Sequence, residues 1–203
     1  MGLCAALGVS CFLAAVAAEH AIDSSLDPAT HQVSEYVHGP AGALMTAGFV
    51  AWAISLAASS VLAALCPDAR WVSGALALAA IGMLITAAFA TQTIAGRLPA
   101  GVSLTLGGRL HDIGSGATTV SLFAAALLSL RAICERQFRR RTSALLVFAV
   151  SCDAALLAVG GEVGGVRERL LILAGCVWQL MFLSAERRQS YREDVTGGRR
   201  SLG

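Results

Sequence analysis

The stretch Ala41–Leu65, AGALMTAGFVAWAISLAASSVLAAL, contains no charged residue in 25 positions. Coiled as a helix at 1.5 Å per residue it is about 37 Å long, enough to cross a hydrocarbon core about 30 Å thick. Five further runs share this character: Leu3–Ala18, Trp71–Ala90, Leu110–Leu130, Ser143–Val159 and Val166–Ser184. None shows the strict alternation of a barrel strand, and only helices satisfy the backbone of such runs in lipid. The sequence therefore predicts an all-α polytopic membrane protein, a six-helix transmembrane bundle over residues 1–185. A disordered, charged tail is expected over 186–203.

Composition agrees. Of 203 residues 56% are hydrophobic and 14% charged, and mean hydropathy is +0.70, whereas an ordinary soluble domain carries about 25% charged residues. The net charge is only +2 and every basic residue is Arg, so no broad basic face is available and nucleic acid is not an expected partner. Six cysteines stand singly without a CxxC pair, which argues against a disulfide scaffold or a zinc knuckle. Glycines at 42, 48, 74, 82, 114, 116 and 175 are expected to let helices approach closely. Ala15-Val16-Ala17 has the form of a signal-peptidase site, but the basic start of a signal peptide is missing, so the first segment is expected to stay as a helix.

Charge sorts by loop. In the six-helix arrangement 11 arginines fall on one side, among them Arg70, Arg131, Arg136, Arg139, Arg140 and Arg141, and four on the other: Arg97, Arg109, Arg167 and Arg169. Cytoplasmic loops retain basic residues, so the chain is expected in the cell membrane with both termini cytoplasmic. The outer side receives seven acids, including Glu162, and all four histidines.

The first outer loop, Glu19–Pro40, is longer than a connection requires. Asp27 suits an N-cap, Pro28 the first helical position and Gly39-Pro40 a stop, so a short interfacial helix is expected over Pro28–His38. Its apolar residues Ala29, Val33, Tyr36 and Val37 make one stripe, and His31, Glu35 and His38 share another face at i, i+4 and i+7. Two imidazoles and a carboxylate in that pattern are a candidate metal set, with His111 as a further ligand. The commoner reading is a solvated face, and no cofactor is expected.

Ionisable residues inside membrane helices normally face protein or water. His111, Ser115 and Thr118 share one face of helix four, with Asp112 and Thr119 on its neighbour, giving a polar seam. Asp153 is expected near mid-membrane in helix five, with helix-four hydroxyls as partners, and Gln179 to bond across helices.

Ser34-Glu35-Tyr36, Gly39-Pro40, Phe89-Ala90-Thr91-Gln92, Gly108-x-x-His111-Asp112 and Glu168-Arg169-Leu170 together resemble the bacterial and archaeal domain-of-unknown-function family 998 over nearly the whole chain. The resemblance implies about six membrane helices and no established activity. Where that family tends to have Phe-Pro-Thr-Asp, this chain has Ala90 and Gln92, which removes one carboxylate. The resulting expectation is a membrane protein, more a binder than an enzyme, with an outward vestibule lined by Ser34, Glu35, Tyr36, His111 and Asp112. A small molecule or lipid head group would be its ligand. The alternatives are a metal-dependent membrane enzyme using His31, Glu35, His38 or His111, and a proton-coupled transporter using Asp112 and Asp153.

Overall fold

The computed structural model describes residues 1–159 and 163–200, with side chains as far as Arg188. Glu162 therefore lies outside the described residues, as do residues 201–203 of the expected tail. Six helices carry the chain back and forth: α1 (Gly2–Ile22), α2 (Gly42–Ala64), α3 (Arg70–Ala88), α4 (Leu106–Ala132), α5 (Arg136–Val159) and α6 (Gly164–Arg200). Each is long and apolar enough to cross a membrane. No strand is present among the described residues, and a single isolated bridge joins Ile94 to Arg97. The protein is thus a polytopic all-helical membrane protein.

Polar helix ends extend the apolar runs. Thr105 caps α4 by accepting the Gly108 amide at 3.2 Å, so the helix begins at Leu106, four residues before the apolar run. α5 begins at Arg136 and includes its arginines. α6 continues beyond Ser184 into the expected tail: Glu186 is buried, the Cys66 thiol donates to Glu186 Oε2 at 3.1 Å, and Arg188 pairs with Glu135 at 3.1 Å.

α1, α2, α3 and α4 form a closely packed unit because small residues stand where they cross. Gly82 and Gly114 face one another so closely that a Cβ on either would lie 2.7 Å from the other's carbonyl oxygen. A Cβ on Gly8 would lie 2.5 Å from the Ala51 carbonyl. Gly48 and Gly42 are similarly closed in, whereas Gly74 and Gly116 face open space and serve no contact. Phe12 stacks on Trp52 with centroids 4.4 Å apart, and Val9, Phe12, Trp52 and Leu56 form the middle of the core.

Gln179 on α6 does bond across helices, as its sequence context suggested. It is fully buried, accepts the Trp52 indole N–H at 3.0 Å, and donates to the hydroxyls of Ser55 and Ser59 at 2.9 Å each. Ser55 in turn donates to the Ala5 carbonyl of α1. This network joins α1, α2 and α6 in the buried core, where an unmet polar group is costly.

Leu78, Ile81 and Leu84 of α3 and Val147, Phe148 and Val150 of α5 turn outward, exposed to whatever surrounds the bundle. For α5 the burial is confined to Phe138, Thr142 and Ala149. Such a girdle of exposed apolar side chains suits a lipid surround rather than water. Trp71, beside Arg70 at 5.3 Å, sits at the arginine-bearing end, where an amphipathic ring meets head groups.

Candidate ligand-binding site

The end of the bundle opposite the arginine cluster is covered by residues 23–41 and 89–105. The expected helix over Pro28–His38 is divided in two. Asp27 closes a single turn, its carbonyl accepting from Thr30 and His31 and its carboxylate from Ala29 at 2.9 Å. Gln32 is extended, and a 3-10 helix, Val33–His38 (η1), follows. The start of α6 takes up the backbone groups that a continuous helix would have paired internally. Val166 N donates to Ala29 O at 3.2 Å, Arg169 Nη1 to His31 O at 2.6 Å, and Val33 N donates to Glu168 Oε2 at 2.5 Å. Gly165 permits this approach, since a Cβ there would lie 2.4 Å from the His31 carbonyl.

With the helix broken, His31 no longer shares a face with Glu35 and His38, which stand three residues apart in η1 and both reach residues 91–96. His31 Nδ1 meets the Thr30 hydroxyl at 3.0 Å, and His38 Nε2 donates to the Thr91 carbonyl at 2.8 Å. Glu35 accepts three backbone amides, from Gln32 (3.1 Å), Ala95 (2.9 Å) and Gly96 (3.2 Å). The last two belong to the tight turn between Ile94 and Arg97, where Ala95 and Gly96 have φ of 49° and 72°. Glu35 is therefore the anchor of that turn. His111 Nδ1 donates to the Phe89 carbonyl at 2.7 Å. Among the described residues no group of three or more His, Cys, Asp or Glu stands close enough to hold a metal ion.

His38 and His111 nevertheless act together, holding the chain on either side of Ala90 through the carbonyls of Thr91 and Phe89. Gln92 retains an acceptor where the family resemblance has Asp: its Oε1 takes the Thr105 amide at 2.7 Å and hydroxyl at 2.9 Å, without a charge. Asp112 is exposed on the side of α4 turned away from this core. Asp153 lies six residues before the end of α5, about 9 Å from it, and about as far from the middle of the helix. Its partner is Arg167, Nε to Oδ1 at 2.9 Å, and not a helix-four hydroxyl. The position of Arg167 at the head of α6 accounts for that partner.

A second polar group surrounds Tyr36, fully buried in η1. Its ring lies 5.0 Å from that of His20 and 5.9 Å from the Arg169 guanidinium. Arg169 Nε donates to His20 Nε2 at 3.0 Å, so His20 carries its proton on Nδ1, which donates to Val16 O at 2.6 Å. Among the described residues, the Tyr36 hydroxyl, both Glu19 carboxyl oxygens and Arg169 Nη2 are buried without a hydrogen-bond partner at good geometry. Burial pushes the Tyr36 phenol above its ordinary range, opposed by the Arg169 charge.

Beneath η1 lies a cavity of about 70 Å³, lined by Ser34, by Phe49 and Trp52 of α2, by Thr86 of α3, by Ser115, Thr118, Thr119 and Phe123 of α4, and by Glu168 of α6, with Met83, Leu122, Leu171 and Ile172 completing its wall. A water centre needs roughly 10–15 Å³, so the space suits a handful of waters or one small molecule. Of the residues expected at the site, Ser34, Ser115 and Thr118 line it; Glu35, Tyr36 and His111 brace the cover around it, and Asp112 takes no part. The polar seam on helix four was the signal that pointed here. Glu168 was visible only as part of a motif, because its place opposite that seam depends on how α6 meets η1.

The fold and this polar end define a multi-pass helical membrane protein with a partly open polar cavity under a loop cover. A family model described as "Protein of unknown function (DUF998)" matches residues 6–185, and the chain belongs to that family. No curated protein and no solved structure matches it.

Proposed function

We propose that this protein binds a small ligand in the cavity beneath η1, and that the cavity faces outward from the cell membrane with both termini in the cytoplasm. The observation that carries the reading is the cavity itself: hydroxyls and a carboxylate gathered at one end of an apolar chamber, between four elements distant in sequence. Ligand sites have this mixture of apolar wall and few convergent polar groups. The cover over it is braced at many points by Glu35, His38, His111 and Arg169, which favours a preformed chamber over a chance packing gap. The orientation rests on the distribution of arginines, 11 against four. A reporter fused after Arg141 should behave as cytoplasmic; external behaviour would reverse the assignment.

Filling the chamber tests the binding role. Thr119 is half-buried and lines the cavity, so Thr119→Phe places a ring in it. Native mass spectrometry of protein released from its own membranes is expected to show a non-covalent adduct on the wild type that the folded variant lacks. The same adduct on both, or none on either, would contradict the proposal.

A further inference from the structure

The hydrogen-bonding character of the cavity lining narrows the ligand. Four hydroxyls in it have already given their protons to backbone carbonyls: Thr86 to Gly82 at 3.0 Å, Ser115 to Asp112 at 3.1 Å, Thr118 to Gly114 at 2.9 Å, and Thr119 to Ser115 at 3.0 Å. What each can still offer a ligand is lone pairs. The Trp52 indole N–H is likewise committed, to Gln179. Glu168 engages Val33 N with Oε2, and no described residue bonds its Oε1. The Ser34 hydroxyl also has no hydrogen-bond partner among the described residues.

The nearby cations are occupied elsewhere. Arg167 pairs with Asp153, and Arg169, whose charge is felt by Glu168, gives its bonds to His31 O, Gly165 O and His20 and keeps Nη2 unbonded; neither lines the cavity. The chamber therefore offers acceptors, one carboxylate and the aromatic residues Phe49, Trp52 and Phe123. Apart from the Ser34 hydroxyl, which can still donate, an anion or a carbonyl compound would meet lone pair against lone pair. A group with several N–H donors and a positive charge would be matched by the carboxylate, the hydroxyl oxygens and the aromatic faces.

We infer that the ligand of this cavity is a small protonated alkylamine, its ammonium held by Glu168 and the α4 hydroxyl oxygens and its short apolar chain against Phe49, Trp52 and Leu122. The inference rests on the binding role proposed above and names its ligand class. Charge pairing in a water-poor site is favourable when both ions are also hydrogen-bonded, which the surrounding hydroxyls provide. The volume limits the amine to a few heavy atoms.

The test uses the full chain in nanodiscs and three probes of similar size: propylammonium, 1-propanol and propionate, with binding followed by tryptophan fluorescence. Propylammonium is expected to bind at least about tenfold more tightly than 1-propanol, as a charge-assisted hydrogen bond implies, and propionate not at all. Glu168→Gln retains an acceptor for Val33 N and should reduce propylammonium to the affinity of 1-propanol. Ser34→Ala, which leaves Glu168 in place, should weaken propylammonium several-fold and serves if the first variant does not fold. Thr119→Phe should abolish binding of both. Equal binding of propylammonium and 1-propanol, or tighter binding of propionate, all lost in Thr119→Phe, would overturn the amine while leaving the cavity as a binding site. Unchanged propylammonium affinity in Glu168→Gln, or in Ser34→Ala, would also overturn the amine's placement. Binding of propylammonium that persists in Thr119→Phe, or no binding of any probe, would overturn both.

Discussion

Gly114→Ala is expected to cost the protein near the upper end of roughly 1–3 kcal/mol of stability, the range for overpacking a tight interior. The added methyl carbon would lie 2.7 Å from the Gly82 carbonyl oxygen and 2.9 Å from both the amide and the hydroxyl of Thr86. Two of these three neighbours are backbone, so no side-chain rotation relieves the contact and α3 and α4 must separate. Thr118, whose hydroxyl donates to Ala79 O at 3.2 Å across the same crossing, would lose that bond as the helices part. Gly116→Ala, two residues on, meets nothing within 4 Å and should cause no loss. Unfolding in a denaturing detergent titration, comparing the two variants with wild type, checks the difference. Equal stability of all three would show that the α3–α4 crossing is looser than described.

Arg169→Ala should be comparably damaging, by roughly 3 kcal/mol, through a different cause. Hydrogen bonds made by a charged group contribute about 1.5–3 kcal/mol each, though not additively. Arg169 makes three: to His31 O, Gly165 O and His20 Nε2. Its removal leaves the His31 carbonyl without its donor and weakens the hold of α6 on the loop, while Tyr36 loses the cation 5.9 Å from its ring. The damage should be local first. Hydrogen–deuterium exchange is expected to accelerate over residues 28–38 while α2 and α3 remain protected. Arg169→Lys keeps the charge but not the planar fork and should fall between wild type and Ala. Unchanged exchange over 28–38 in Arg169→Ala would mean that the loop is held without it.

The helices were legible in the sequence because lipid imposes a severe rule: a run such as Ala41–Leu65 has no other way to pair its backbone. Their ends were less so. The cap at Thr105 and the arginines at the start of α5 are polar, and hydropathy stops where apolar character stops, not where hydrogen bonding does. Gln179 was readable as a bonding group because a lone amide in an apolar helix needs partners; which partners depended on the stacking of α2 against α6.

The loop shows where local pattern fails. Asp27-Pro28 and Gly39-Pro40 are sound helix signals, yet Arg169, Glu168 and Val166 compete for the same backbone groups and divide the segment. That competition also separates His31 from Glu35 and His38, and the helical spacing of the three was the basis for a metal set. Glu35 and His111 were expected to line the vestibule, but their hydrogen bonds go to backbone amides and a carbonyl, so they shape the chamber's cover. Glu168, the acid that does reach the cavity, lies 134 residues from Ser34, beyond the reach of any local periodicity.

The most direct test of a ligand-binding chamber is an experimental density map of the protein extracted with its native lipids, at a resolution that shows side chains and bound small molecules. Discrete non-protein density between Ser34, Glu168 and Thr119, with one end against the carboxylate and the other against Phe49 and Leu122, is the predicted result. A chamber collapsed by its own side chains, with Glu168 bonded instead to another residue of the chain, would contradict it.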